Sequence, residues 1–425
     1  MIFTLEALEA KHGDALILYH GKSNGDRSIV VIDGGPHTVY RRSLRKRLES
    51  LRPEGEDLHI PLMMLSHLDE DHIQGLVDLT DELVEMSADS ANLPDDLLNA
   101  NVARPYRIDA AWYNGFDKIL ENKDEELESL AASAVIQPDP DDSVRPLSEA
   151  IAASVRQGLK LSANLDKLDI KVNGGSPLLL APADERLAYA FNPTNKSFFK
   201  LSPGQEPQGG SLKFTLLGPT RDQLLKLHTQ WDKDLKKILA KEAKENLEAE
   251  GADYEDESPF NLSSIVVLAE AGGKSMLLTG DARGDYVIES AKQAGLLENG
   301  ILRVDLLKLP HHASNYNVEQ DFFETFPADH YVVSADGKYE NPSLETFEYL
   351  FAARSGDDRP FTIYLTNETG TSGPNKTHMD ALVAKLNSMV ADDPRMTIVY
   401  RQPGEPSVVV NLGGEVKLPA VECEP

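Results

Sequence analysis

The sequence predicts a mixed α/β (α+β) fold in which two sheets pack on each other with helices outside. Three observations support this. Apolar runs of strand length recur in two blocks, one before about residue 115 and one after about residue 212. Stretches of helical periodicity separate many of these runs, and no internal repeat links the blocks. Five of the runs end in a polar residue able to bind a metal or orient a ligand: Asp33, the His67–His72 cluster, Asn114, Asp281 and the pair His311-His312.

The first block opens with strands at Ile2 to Leu8 and Ala15 to Tyr19, flanking the turn Lys11-His-Gly-Asp14. Ser28-Ile-Val-Val-Ile-Asp33 is a buried strand stopped by Gly34-Gly35-Pro36. Leu44, Leu48 and Leu51 at helical spacing, among Arg41, Arg42, Arg45, Lys46, Arg47 and Arg52, predict an amphipathic helix with a cationic outer face. A solvated face is the plain reading; a phosphate-rich ligand lying across it is the alternative. His59 to Leu65 is a strand running directly into the His/Asp cluster, and Ile73 to Glu85 is the helix after it.

Residues 86–210 are less regular. They hold the acid- and proline-rich run 137–142, helical stretches around 145–165, and a short strand at Ile108 to Asn114 closing on Gly115. The rest reads as an insertion near the site. The second block has strands at 212–217, 264–269, 275–279, 304–309, 330–334, 361–365, 397–401 and 407–410. A charged helix is expected at about 221–250, one more between 281 and 304, and others at about 343–354 and 378–390. The whole of 1–425 is read as one domain.

Bulk composition narrows the function. With 42 basic and 70 acidic residues the net charge is −28, so the surface repels polyanions and general coating of duplex DNA is excluded. Phosphodiester chemistry stays open, because bound divalent metals invert the local field. The single cysteine, Cys423, rules out a disulfide framework and a cysteine-based zinc site. The absence of a membrane-length apolar run or a secretory signal leads us to expect a cytoplasmic protein with no membrane partner.

The chemistry centres on His67-Leu-Asp69-Glu-Asp71-His72, four ligand-type side chains within six residues after an apolar strand. In a tight turn alternate residues face one way, so His67 and Asp69 can share one metal while Asp71 and His72 face a second position. Imidazole and carboxylate suit zinc, manganese or iron. The competing interpretation is a polar turn whose aspartate caps the helix opening at His72.

The cluster resembles the H-x-H-x-D-H signature of the metallo-β-lactamase superfamily, with Asp69 in place of the second histidine. Together with Gly13-Asp14-Ala15, Asp33-Gly34-Gly35, Leu278-Thr-Gly-Asp281-Ala282 and Asp305-Leu-Leu-Lys308-Leu-Pro-His311-His312-Ala-Ser314, it looks most like the hydrolase domain of ComEC-type DNA-uptake channels and their free-standing relatives. The motifs arrive in the family's order over residues 1 to about 345, without the channel's membrane segments. The resemblance implies an αββα sandwich with an inserted, partly helical region, and two divalent metal ions, manganese or zinc. It implies His67 and Asp69 on one ion, Asp71 and His72 on the other, Asp281 bridging, and His311 completing the second site. Asp71 and His312 would be catalytic, with His312 next to the substrate. Asp33 would brace the metal loop by hydrogen bonding, and Asn114, Ser314 and Asn341 would contact substrate.

The sequence departs from the family at three places. No isolated histidine follows His72 before Asp281 except His228, in the charged helix; Asn114, Asn261 or a water would fill that position. Ala313 replaces the glycine usual after the paired histidines, and Asn341-Pro342 stands where relatives often carry His-Pro. Aspartate at 69 also makes the first position harder, shifting preference from zinc toward manganese or magnesium-like ions. The expected function is a metal-dependent hydrolase, a phosphodiesterase or nuclease using a hydroxide activated by two metals. The alternatives are hydrolysis of a small ester, lactone or choline-phosphate-like substrate, and a metal-stabilised interaction module with little activity; a partner protein is left open.

Overall fold

A computed structural model describes residues 1–91, 105–115, 147–182, 186–224, 261–370 and 372–421. The strands of the first part are β1 (Ile2–Leu8), β2 (Leu16–Gly21), β3 (Arg27–Ile32), β4 (Leu58–Ile60), β5 (Leu62–Met64), β6 (Tyr106–Ile108), β7 (Ala110–Trp112) and β8 (Lys171–Val172). Then come β9 (Ala188–Asn192), β10 (Ser197–Lys200), β11 (Lys213–Gly218), β12 (Val266–Ala271), β13 (Lys274–Leu278), β14 (Val304–Lys308), β15 (Ala328–Val333), β16 (Phe361–Leu365), β17 (Met396–Tyr400) and β18 (Ser407–Asn411). The α-helices are α1 (Arg45–Leu51), α2 (Glu70–Ala91), α3 (Leu147–Lys167), α4 (Gly284–Gln293), α5 (Gln320–Thr325), α6 (Leu344–Arg354) and α7 (Gly373–Asp392). Among the described residues no helix is long and apolar enough to cross a membrane.

The fold is mixed α/β, as expected. Seven strands run in the order β18-β1-β2-β3-β5-β7-β8, and nine in the order β10-β9-β11-β12-β13-β14-β15-β16-β17. Both sheets combine antiparallel and parallel pairs. From β13 to β17 each neighbour is parallel, and parallel neighbours require a crossover, supplied here in turn by α4, α5, α6 and α7. The pleat sorts the side chains. In β3, Val30 and Ile32 join a core shared with Phe214, Val267 and Leu306 of the other sheet. Ile29 and Val31 turn the opposite way, toward Leu48, Ile73 and Leu165 of α1, α2 and α3. The outer face of the second sheet is covered in the same manner by Val287, Phe322, Phe347 and Leu382 of α4 to α7. Each such large apolar side chain contributes roughly 1.5–3 kcal/mol by leaving water.

This topology sets the position of the chemistry. β3, β5 and β7 are mutually parallel, as are β13, β14 and β15, so the loops after each set emerge at one edge. Those loops hold Asp33, Ser66-His67 and Asn114 on one side, and Asp281, His311-His312 and Ser334 on the other. Ligand sites of open α/β sheets lie at the carboxyl ends of such strands.

Several elements differ from expectation. The strand expected over His59–Leu65 divides at Pro61, which has no backbone N–H to donate. β4 pairs only with β6, while β5 enters the large sheet between β3 and β7. The described part of the expected insertion is built into the fold. β8 extends one sheet, β9 and β10 extend the other, and Asn164 of α3 donates to Thr80 of α2 at 3.1 Å. The expected charged helix lies, beyond residue 224, outside the described residues. The cationic helix is not wholly outward. Arg47 is buried and its Nε donates to Glu6 Oε1 at 2.8 Å, while Tyr19 and Ser407 each donate to the same carboxylate at 2.5 Å. Arg45 is paired with Glu49 and Glu82.

Candidate metal centre

The loop after β5 is held from beneath by Asp33. That residue takes a left-handed φ of 58°, and its carboxylate accepts from the Ser66 N–H at 2.7 Å, the Ser66 hydroxyl at 2.7 Å and His72 Nδ1 at 2.9 Å. The bracing role expected of Asp33 is therefore what its hydrogen bonds perform. Gly34 and Gly75 let the start of α2 press against this loop: a Cβ on Gly75 would stand 1.9 Å from the Gly34 carbonyl oxygen.

Four histidines present the same pattern. Ser66 Oγ, having given its proton to Asp33, accepts from His67 Nδ1 at 3.0 Å. His72 Nδ1 donates to Asp33, His312 Nδ1 to the Ser334 carbonyl at 2.8 Å, and His311 Nδ1 to Asn317 Oδ1 at 2.6 Å. With Nδ1 committed outward, each ring directs Nε2 inward. The four Nε2 atoms lie 3.8, 3.3, 3.3 and 3.9 Å from Asp281 Oδ2, for His67, His72, His312 and His311 respectively. Asp69 reaches within 3.5 Å of His67 Nε2, and Asp71 within 3.3 Å of His312 Nε2.

The second half of the cluster comes from the other sheet. The Asp281 backbone N–H donates to Ser264 Oγ at 3.2 Å, and its carbonyl accepts from Asn317 Nδ2 at 3.1 Å. His311, His312 and Ala313 all have positive φ, at 46°, 54° and 64°. That run of left-handed, non-glycine backbone is costly, and such strain gathers at functional sites.

The charges are mutually dependent. Burial works against ionising Asp281 and Asp71, but the neighbouring imidazoles outweigh it and hold both carboxyls below their usual range. Burial likewise opposes protonation of His72 and His312, yet the surrounding aspartates prevail. They raise His72 well above its usual value and push His312 up to about 10.

Among the described residues two buried groups could hold a metal ion: His67, His72 and Asp281, and Asp14, His72 and His312. In the first, His67 Nε2 and Asp281 Oδ1 are buried without a hydrogen-bond partner. Moreover His72 Nε2 and His312 Nε2 face each other at 3.3 Å, so two lone pairs confront one another unless a cation or proton lies between them. These observations fit a metal ion. Asp14 is different: it approaches His72 and His312 from their Nδ1 sides, at 3.9 and 3.8 Å, where those nitrogens already donate elsewhere, and it is paired with the buried ammonium of Lys308. Its place is behind the histidines.

The structure brings together His67, Asp69, Asp71, His72, Asp281, His311 and His312, with the last two in different surroundings. His312 is 3% exposed and stands against both Asp71 and Asp281, whereas the His311 side chain is 25% exposed and farther off. Asn114 does not face the cluster. Its amide donates to the Leu179 carbonyl at 3.1 Å and accepts from the Leu179 N–H at 2.7 Å, which makes it a loop brace in place of a substrate contact. Ser314 is buried and accepts from the Tyr316 N–H. Asn341 donates to the His311 carbonyl at 3.5 Å, so it touches the ligand loop through backbone. Asn261 lies beside His311 Nδ1 at 3.4 Å, and His228 lies outside the described residues. Sequence reasoning did not single out Asn317 or Ser334, or give Asp14 and Lys308 a role; only the Gly13-Asp14-Ala15 and Lys308 motif positions hinted at the last two. Comparison of the chain with protein-family models and with curated proteins gave no match.

Proposed function

We propose that this chain is a metal-dependent hydrolase acting on phosphodiesters. The observation that carries the reading is the convergence of four histidine Nε2 atoms on Asp281, each with its Nδ1 tied down on the far side. Imidazoles oriented in this way are the arrangement by which proteins present neutral nitrogen ligands to a metal. His67, Asp69 and Asp281 would hold one divalent ion; Asp71, His72 and His312, with Asp281 shared, would hold the other. Bound there, the ions supply Lewis acidity and lower the pKa of water toward neutrality, which suits attack on phosphorus. The carboxylate at 69 favours manganese over zinc.

The chain's own residues do the rest. Asp33, Ser66 and Asn317 fix the rings, and Lys308 with Asp14 balances charge behind them. His311, the most exposed of the four, presents Nε2 from the open side and is the group placed to hand a proton to a leaving oxygen. The paired sheets with helices on both outer faces are read as the metallo-β-lactamase sandwich that the motif order resembles.

The test is metal analysis of the purified protein together with hydrolysis of bis-p-nitrophenyl phosphate, short oligonucleotides and small carboxylic esters, with and without manganese. Phosphodiester turnover that disappears in Asp281→Ala supports the reading. Cleavage of carboxylic esters alone transfers it to the small-ester class, and bound metal with no turnover leaves an interaction module.

A further inference from the structure

His20 is a buried titratable group that the metal centre does not use. It stands near the end of β2, with Phe3 of β1 and Ser28 of β3 opposite it, at the far end of β3 from Asp33. It is 2% exposed, and its Nε2 is buried without a hydrogen-bond partner. A buried polar atom left unpaired is costly, and here what closes over it is aromatic. Phe191 of β9 meets the ring edge-on at 4.5 Å, and Phe198 of β10 stands 6.3 Å away. Those two rings lie 5.4 Å from each other, and Phe198 continues to Phe214 at 5.6 Å and Trp112 at 6.1 Å.

The charged and titratable groups on the surrounding strands are turned elsewhere. Glu6 of β1 is bound to Tyr19 and Arg47, and Arg27 of β3 donates to the Lys417 carbonyl. Lys213 of β11 is paired with Glu206 and Glu270, Tyr189 of β9 lies against Trp112, and Lys200 of β10 is exposed. Burial alone therefore holds the His20 pKa down at about 3, because a proton on this ring would be a charge among hydrocarbon.

The cover is an edge hairpin. β10 pairs only with β9, over four residues, and β9 pairs with β11 over three. The connection that follows, 202–210, is mostly exposed. A short element at a sheet edge opens at lower cost than the strands within. Once it opens, His20 meets water and takes a proton at its ordinary value of 6.5. The closed form is thus favoured in full above pH 6.5 and loses ground as pH falls toward 3, the ratio of open to closed rising about tenfold per pH unit.

We propose that the β9–β10 hairpin is an acid-released flap: protonation of His20 frees it and uncovers Phe191, Phe198 and Trp112, while both sheets otherwise stay folded. The test follows tryptophan emission from about pH 7.5 to about pH 4, across the window in which His20 is protonated only when uncovered. Chelator is present throughout so that metal release contributes nothing, and a Trp231→Phe background leaves Trp112 as the reporter. Acidification should shift its emission to the red and let an apolar dye bind in step, with far-UV circular dichroism unchanged. His20→Phe keeps a flat ring and removes the proton site, so its emission should stay constant. His20→Gln keeps a polar group that does not titrate, so its emission, whatever its starting value, should not move with pH. An acid shift that persists in either variant, no shift in the wild-type background, or loss of circular dichroism at the same midpoint would overturn the proposal.

Discussion

Two buried polar clusters in this molecule are built in opposite ways. Around Glu6, both carboxylate oxygens are used: Oε2 accepts from Tyr19, and Oε1 from Arg47 and Ser407. Arg47 then donates onward to the Pro419 carbonyl at 2.6 Å. Around Asp281, the buried Oδ1 and the neighbouring His67 Nε2 have no partner, while Nε2 atoms of His72 and His312 confront each other. A closed network joins helix α1 to strands β1, β2 and β18. An open one, into which the imidazole Nε2 atoms face, could hold a metal ion. Burial is common to both, and what separates structure from function is whether the hydrogen bonds close.

The sharpest way to break this contrast is to remove the centre of the open cluster. Asp281→Ala should eliminate bound metal, a loss exceeding the roughly 10–100-fold in affinity that removing a mere outer partner costs; metal content per chain after dialysis measures it. Retention of full metal content would mean the cluster is another closed network. The matching change in the closed cluster, Glu6→Ala, strands a buried guanidinium and should lower stability by about 3–5 kcal/mol in urea unfolding, with metal content unchanged.

A third, smaller effect is in pH. With metal removed, His312 is raised from 6.5 to about 10, so its contribution is complete below pH 6.5 and is lost as pH rises toward 10. Asp281 is depressed below 3.8, so its contribution is present above that value and lost on acidification. Metal-free protein should therefore melt progressively lower above pH 6.5. Metal needs deprotonated imidazole, so the stabilisation it adds should grow over the same range. Melting curves with chelator and with manganese compare the two slopes, and parallel curves would contradict the assignment. The smallest effect belongs to Asn114→Ala, which should cost about 1 kcal/mol from its bonds to Leu179 and leave metal content untouched.

The local part of this site is legible in the chain. His67, Asp69, Asp71 and His72 are consecutive or nearly so, and the turn after an apolar strand is enough to gather them. Asp33, Asp281 and the histidine pair stand out because each follows a strand. What hides is whatever depends on the partner's direction. Asn114 at a strand end looks the same whether it faces a ligand or the Leu179 backbone. Which of His311 and His312 is the more enclosed is not revealed by pattern alone, since both sit in a run of three left-handed residues. Asn317 and Ser334 are ordinary loop residues until the rings rest on them. β8, β9 and β10 are short and mostly half-exposed, so periodicity is too weak to show that they extend the sheets.

β1 has β2 on one side, a neighbour in sequence, and β18 on the other, with Thr4 opposite Asn411. Its second edge is therefore satisfied by residues about 400 positions later. During synthesis the first sheet must wait with a buried-type, apolar edge exposed until the last strand is made. A chain cut between His312 and Ser407 would keep every proposed metal ligand yet carry an open strand edge ready to recruit another molecule, making aggregation the expected fate of such truncated forms.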